Sequence, residues 1–291
     1  MKRSHFLAGS LSAAAVPNAA FAASIGSRIR AAVREIPGTA GVYARTMSGG
    51  PPFFAYNQDL SFASASTIKL LILLTAFQRA ARDPHVMRAP VTFRRAALIG
   101  GSDFLAGKSD GERFTVHELL LPMIQLSDNT ASNLLITHFG FDAINAAAHR
   151  AGMHHTHLLR HFLDYSAIVH HMDNRTTPAD MAHLLYQIEH GAREGIVTVA
   201  PPAQCRAMLT IMLGQTDRTK IPAGLPPGTA CANKTGEVDG VRNDVAVVEP
   251  FGDSPYVLTV FTKQLANYSD AYAGIANISR AAYAHVAGTD L

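Results

Sequence analysis

Ser66-Thr67-Ile68-Lys69-Leu70-Leu71-Ile72-Leu73-Leu74 joins a short polar opening to an unbroken apolar run. A stretch that apolar, opened by a residue able to cap, reads as a helix buried on every side. Residues i and i+3 share a helix face, so the Ser66 hydroxyl and the Lys69 amine are expected to be neighbours. Burial disfavours an ammonium, lowers its pKa and makes the amine a usable base. The helix N-terminus beside Ser66 favours negative charge developing on a bound molecule. The same four residues also read as a capping serine with a snorkelling lysine, so their meaning depends on the rest of the chain.

On the N-terminal side, Ile25, Ile29, Val33 and Ile36 recur at helical spacing until Pro37-Gly38 stops them. Val42 to Met47 and Phe53 to Tyr56 then read as a strand pair around Ser48-Gly49-Gly50. On the far side, Ala230–Lys234, Val245–Val248 and Val257–Thr262 read as three strands, the last two joined at Phe251-Gly252-Asp253-Ser254. A C-terminal helix follows from Ser269 to about His285. Between these ends the chain from Ser66 to about Leu213 reads as helical. Thr115-Val116-His117-Glu118 is a capping-box pattern, and Thr177-Pro178 pairs an N-cap with proline at the first helical position. The expectation is an α/β (α+β) chain: one antiparallel sheet built by both termini and flanked by helices, with an inserted all-helical lobe. The sheet lobe would take residues 23–62 and 214–291, the helical lobe residues 63–213. A cleft between them is the default site.

Composition excludes several classes. The 291 residues carry 25 Lys+Arg, 22 Asp+Glu, 14 His and two Cys, with a formal charge of +3. That charge is no footprint for nucleic acid, and two cysteines are too few for a disulfide framework or a thiolate zinc cluster. Lys2 and Arg3, the apolar stretch Phe6–Ala22 and its Ala20-Phe21-Ala22 ending form the pattern of a secretory signal peptide over residues 1–22. Its removal takes +3 to +1, since two cations leave. The remainder is expected to be a monomer, secreted or periplasmic, with no membrane span. Cys205 and Cys231 then face an oxidising compartment, either as a disulfide or as two buried thiols. Six histidines fall between His154 and His171. His157 and His161 stand at i, i+4, a zinc spacing, but no cysteine lies near them, and a solvated loop without metal is the expectation.

Two further motifs follow the first. Ser127-Asp128-Asn129 sits between two predicted helices, and Lys234-Thr235-Gly236 closes a predicted strand, where glycine permits close approach to the backbone. Each alone is a cap or a turn. In this order, Ser-x-x-Lys, Ser-Asp-Asn and Lys-Thr-Gly are the signature of class A β-lactamases and penicillin-binding proteins. The sequence resembles that family over nearly the whole mature chain. Asp110-Gly111, Thr115–Leu120, Thr176-Thr177-Pro178 and Ile221–Pro226 extend the match.

The resemblance implies that Ser66 is the nucleophile and that Lys69 helps remove its proton. Ser127 would pass a proton to the leaving nitrogen, held by Lys234. Asn129 would bind the substrate's side-chain amide, and Thr235 its carboxylate with a nearby cation, for which Arg218, Lys220 and Arg242 are candidates. Gly236 would admit the substrate beside the strand, and the backbone amides of Ser66 and Glu237 would form the oxyanion hole. The substrate implied is a small β-lactam or a D-Ala-D-Ala peptide, with no cofactor.

One family feature is missing. Class A enzymes carry a loop glutamate that activates the deacylating water, yet no glutamate lies between Glu118 and Glu189. Asp164 and His161 fall nearest the expected place, with Asp173 further along. If none of them serves, the acyl-enzyme should persist. The chain would then act as a D,D-peptidase on cell-wall stem peptides, or as a slowly deacylating penicillin-binding module.

Overall fold

A computed structural model of the protein describes residues 19–289. Residues 1–18, which carry most of the expected signal peptide, lie outside them. The chain enters through α1 (Ala19–Glu35), β1 (Thr39–Thr46), β2 (Phe54–Tyr56) and β3 (Phe62–Ala63), then turns through a 3₁₀ segment, Ala65–Ile68, into α2 (Lys69–Ala80). The middle of the chain holds β4 (Pro90–Thr92), α3 (Asp103–Ala106), β5 (Arg113–Thr115), α4 (Val116–Gln125), α5 (Asn129–Phe139) and α6 (Phe141–Arg150). It continues through α7 (Tyr165–Val169), β6 (Arg175–Thr176), α8 (Pro178–Glu194) and α9 (Pro202–Leu213). The chain returns through β7 (Cys231–Val238), β8 (Val241–Val248), β9 (Tyr256–Lys263) and α10 (Tyr268–Ala287).

The ends of the chain build one antiparallel sheet in the order β2-β1-β9-β8-β7. Its strands alternate between two cores. Val42, Ala44, Ala246, Val248, Leu258 and Val260 pack against α1 and α10, whereas Val245, Val247, Val257 and Phe261 join the helical core. Both faces are therefore covered, which is why β8 and β9 read as continuous apolar runs rather than alternating ones. α2 is the axis of the helical side, with Leu70 to Leu74 all buried. β7 is left as the sheet's edge, and an unpaired edge next to a lobe boundary is where an extended ligand can add.

Local chemistry agrees with the helix ends. Thr115 accepts from the Glu118 amide (3.1 Å) while the Glu118 carboxylate accepts from the Thr115 amide (2.7 Å), a complete capping box at the start of α4. Thr177 caps α8 with Pro178 in its first turn. The two small sheets, β3 with β6 and β4 with β5, are not visible in the sequence pattern because two or three residues carry no periodicity. Thr115→Ala is expected to lower unfolding free energy by about 1 kcal/mol in denaturant titrations.

Candidate active site

The second serine organises the site. The 3₁₀ turn before α2 presents Ser66 and places Lys69 at the first position of the helix, fully buried. The Lys69 Nζ lies within hydrogen-bonding distance of the Ser127 carbonyl oxygen (2.6 Å), the Ser127 Oγ (3.1 Å) and the Asn129 Oδ1 (2.9 Å). Lys234, also fully buried, donates to the same Ser127 Oγ (3.0 Å) and to the Thr235 carbonyl (2.8 Å). Two lysines, one from α2 and one from β7, thus meet on one hydroxyl. Ser66 and Lys69 are brought together at the start of α2, but among the described residues the amine's hydrogen-bond partners are Ser127 and Asn129 rather than the Ser66 hydroxyl.

The backbone at both serines is unusual. Ser127 sits at φ +58° and Ala65, just before Ser66, at φ +46°, left-handed conformations costly for residues with a Cβ. Asp128 secures the first of these, accepting from the Ala131 amide (2.8 Å) to cap α5. Lys234-Thr235-Gly236 lies in the middle of β7, not at a strand end as the sequence suggested. A Cβ at Gly236 would sit 2.9 Å from the Ser64 carbonyl oxygen and 3.0 Å from the Ser66 nitrogen. Glycine is needed there to bring the edge strand against the serine turn.

Burial controls the electrostatics. Desolvation, helped by the Lys234 charge, holds the Lys69 amine well below its ordinary range, with Asp128 resisting. Desolvation takes Lys234 to about 7, against the pull of Asp244 and Asp217. Asp244 is itself buried and pushed up to about 6. At neutral pH the pair therefore holds fewer protons than two ordinary lysines would.

Ser66 opens into a cleft of about 490 Å³ whose walls include Asn129, Phe162, Asp173, Glu237 and Val238. Neither sequence candidate for a deacylating base is among its lining residues. Asp164 caps α7, accepting from the Ala167 amide (3.2 Å) and the Ser166 hydroxyl (2.7 Å), which hold its pKa down. His161 turns toward Thr137 (3.4 Å) and packs edge-on against Phe141, and burial lowers its pKa. The side chain above the lysine is Phe162, its ring centroid 4.4 Å from the Lys69 nitrogen. Sequence reasoning missed it because nothing in an apolar residue signals a place in the reacting layer. Asp173 does line the cleft but is held by Arg160 at 2.8 Å.

The cation candidates also separate. Arg218 donates to the Cys231 carbonyl (3.1 Å). Arg242 lies over the Tyr268 ring at 3.7 Å and donates to the Val238 carbonyl (3.0 Å). Lys220, fully buried, reaches Glu237 at 2.6 Å, beside the cleft. His157 pairs with Arg175 through its backbone, outside any helix, so the i, i+4 face inferred for His157 and His161 does not form. Among the described residues no group of three or more His, Cys, Asp or Glu gathers to hold a metal. Cys205 and Cys231 are separate buried thiols, both pushed up by burial.

Acyl transfer to a serine requires a base, a proton donor and backbone donors for the developing anion, and the groups of this cleft have the chemistry for each. The class is that of active-site serine hydrolases. The sequence model of the Beta-lactamase enzyme family matches residues 24–286, and the chain belongs to that family. Beta-lactamase Toho-1 of Escherichia coli is 30% identical over 212 residues, 72% of this chain and 71% of the relative. Carbapenem-hydrolyzing beta-lactamase KPC of Klebsiella oxytoca is 28% identical over 234 residues, 79% and 78% of the two chains. Among solved structures, a mutant of PBP-A captured as an acyl-enzyme with penicillin G superposes with a TM-score of 0.80 at 26% identity, covering 94% of this chain and 98% of that one. A beta-lactamase from Sphaerobacter thermophilus gives 0.80 at 28% identity, covering 92% and 99%.

The depressed lysines give a pH dependence of stability. A lysine whose folded pKa lies near 7 takes up protons on unfolding between there and about 10.4, so its contribution to stability rises with pH across that window. Replacing Lys234 with Gln is expected to shrink the gain between pH 7 and pH 9 by about 1–2 kcal/mol in denaturant titrations run beside the parent chain.

Proposed function

We propose that this protein is an exported serine hydrolase that opens the β-lactam ring through an acyl-enzyme on Ser66. The observation that carries the reading is the Ser127 hydroxyl shared by Lys69 and Lys234 at 3.1 and 3.0 Å. A neutral Lys69 has a lone pair free to take the Ser66 proton as Oγ attacks the lactam carbonyl. The carbonyl oxygen gains charge beside the Ser66 and Glu237 amides. As the C–N bond breaks, Ser127 gives its proton to the leaving nitrogen and recovers one from Lys69. Lys234 keeps that hydroxyl oriented and supplies positive charge to the site. Asn129 and Thr235 flank the path as the amide- and carboxylate-binding groups. Export rests on the N-terminal pattern; among the described residues no helix is long and apolar enough to cross a membrane.

Phe162 favours a second reading of the last step. An aromatic ring over Lys69 offers no proton acceptor for a hydrolytic water, and Asp173 is neutralised by Arg160. On that reading the acyl-enzyme forms and persists, as in a D,D-peptidase or penicillin-binding protein that acts on D-Ala-D-Ala stem peptides. Purified mature chain mixed with a chromogenic cephalosporin separates the two. Sustained turnover supports hydrolysis, and a single stoichiometric burst supports persistence. Ser66→Ala is expected to lower either signal by roughly a thousandfold or more; an unchanged rate in that variant would remove Ser66 from the mechanism.

A further inference from the structure

Glu237 puts its side chain on the wall of the cleft that Ser66 opens into. Its Oε1 accepts from the Lys220 ammonium (2.6 Å) and the Tyr272 hydroxyl (2.8 Å), and its Oε2 lies 3.7 Å from the Arg242 guanidinium. Lys220 is wholly buried behind it and carries a second carboxylate, Asp217, also at 2.6 Å. Burial alone would depress this lysine, but the two carboxylates outweigh it and hold the ammonium charged. Arg242 faces Glu237 across the β7–β8 ladder and is committed to Tyr268 and Tyr272. Both cations behind this wall are thus already matched by carboxylates of the protein. Asp239, exposed at the same mouth, adds further negative charge.

A ligand carboxylate arriving at this wall meets the Glu237 carboxylate in front of the buried ammonium. It must either displace Glu237 or accept like-charge repulsion. We propose that the Glu237 carboxylate is a specificity-determining group: seated on Lys220 at the wall of the cleft, it weakens the hold of this side of the site on a ligand carboxylate relative to an uncharged group. The inference rests on the acyl-enzyme reading above. It concerns the Glu237 side chain and not the backbone amide.

Penicillin G and its methyl ester differ in this one charge. The test is the rate of Ser66 adduct formation with each compound, followed by intact-protein mass spectrometry at pH 6 for the parent chain and Glu237→Gln. Glutamine keeps the shape and the Tyr272 contact but removes one of the two carboxylates from the ammonium, leaving Asp217. The ratio of acylation efficiencies, penicillin G over methyl ester, is expected to rise about fivefold in the variant, through tighter binding of the acid. A purely structural role would change both compounds together. An unchanged or lower ratio, with both adducts still formed, overturns the specificity role alone. Formation of neither adduct nor ring-opened product from either compound in the parent chain overturns the acyl-enzyme reading and this inference with it.

Discussion

Two lysine side chains sharing one hydroxyl are the constraint on which the rest of this site depends. Lys69 begins the central helix and Lys234 lies in the edge strand, so Ser127 can touch both only if the lobes close to a fixed spacing. Gly236 sets that spacing from the sheet side, since any side chain there would collide with the serine turn. Asp128 sets it from the helical side by capping α5 while Ser127 is held in a left-handed conformation. The strain is localised where the reacting groups converge, as is common where geometry serves function. Burial then does the chemical part, because two close cations kept from water cannot both hold their protons as ordinary lysines do.

The cleft is asymmetric about this network. On one side lie a serine turn, two depressed lysines, the hydroxyl they share and a free sheet edge. The opposite wall places an aromatic ring over Lys69 and ties the lining carboxylate Asp173 to Arg160. Belonging to the Beta-lactamase family fixes the fold and the acylating chemistry more tightly than it fixes the rate at which the acyl group leaves. That rate depends on what a water can reach in this chain's own loop.

The chain showed its architecture in outline because strands at both ends and helices between are long enough to carry a period. The sheet, the buried helix after Ser66, the Thr115 box and the Thr177 cap all lie in such stretches. Side-chain direction in the irregular segment 151–164 was not legible. Asp164 and His161 have side chains able to take a proton, yet a helix cap claims one and an aromatic neighbour the other. Phe162 had no polar signature to announce it. The cation was hidden differently: Arg242 and Lys220 look alike in sequence, and only the register of β7 with β8 and the burial of Lys220 separate them. The network of three motifs spread between residues 66 and 236 could be named from sequence, but the bond from Lys69 to Ser127 rather than Ser66 is a fact of packing.

The central claim is that burial at a shared hydroxyl removes these lysines from the ordinary range. It is tested most directly by NMR titration of lysine side chains in the folded protein, with Lys69 and Lys234 assigned by single substitutions to Arg. The account predicts a Lys234 signal titrating at about 7 and a Lys69 signal far below its neighbours on the surface. Both signals titrating together with the exposed lysines, at about 10.4, would contradict it.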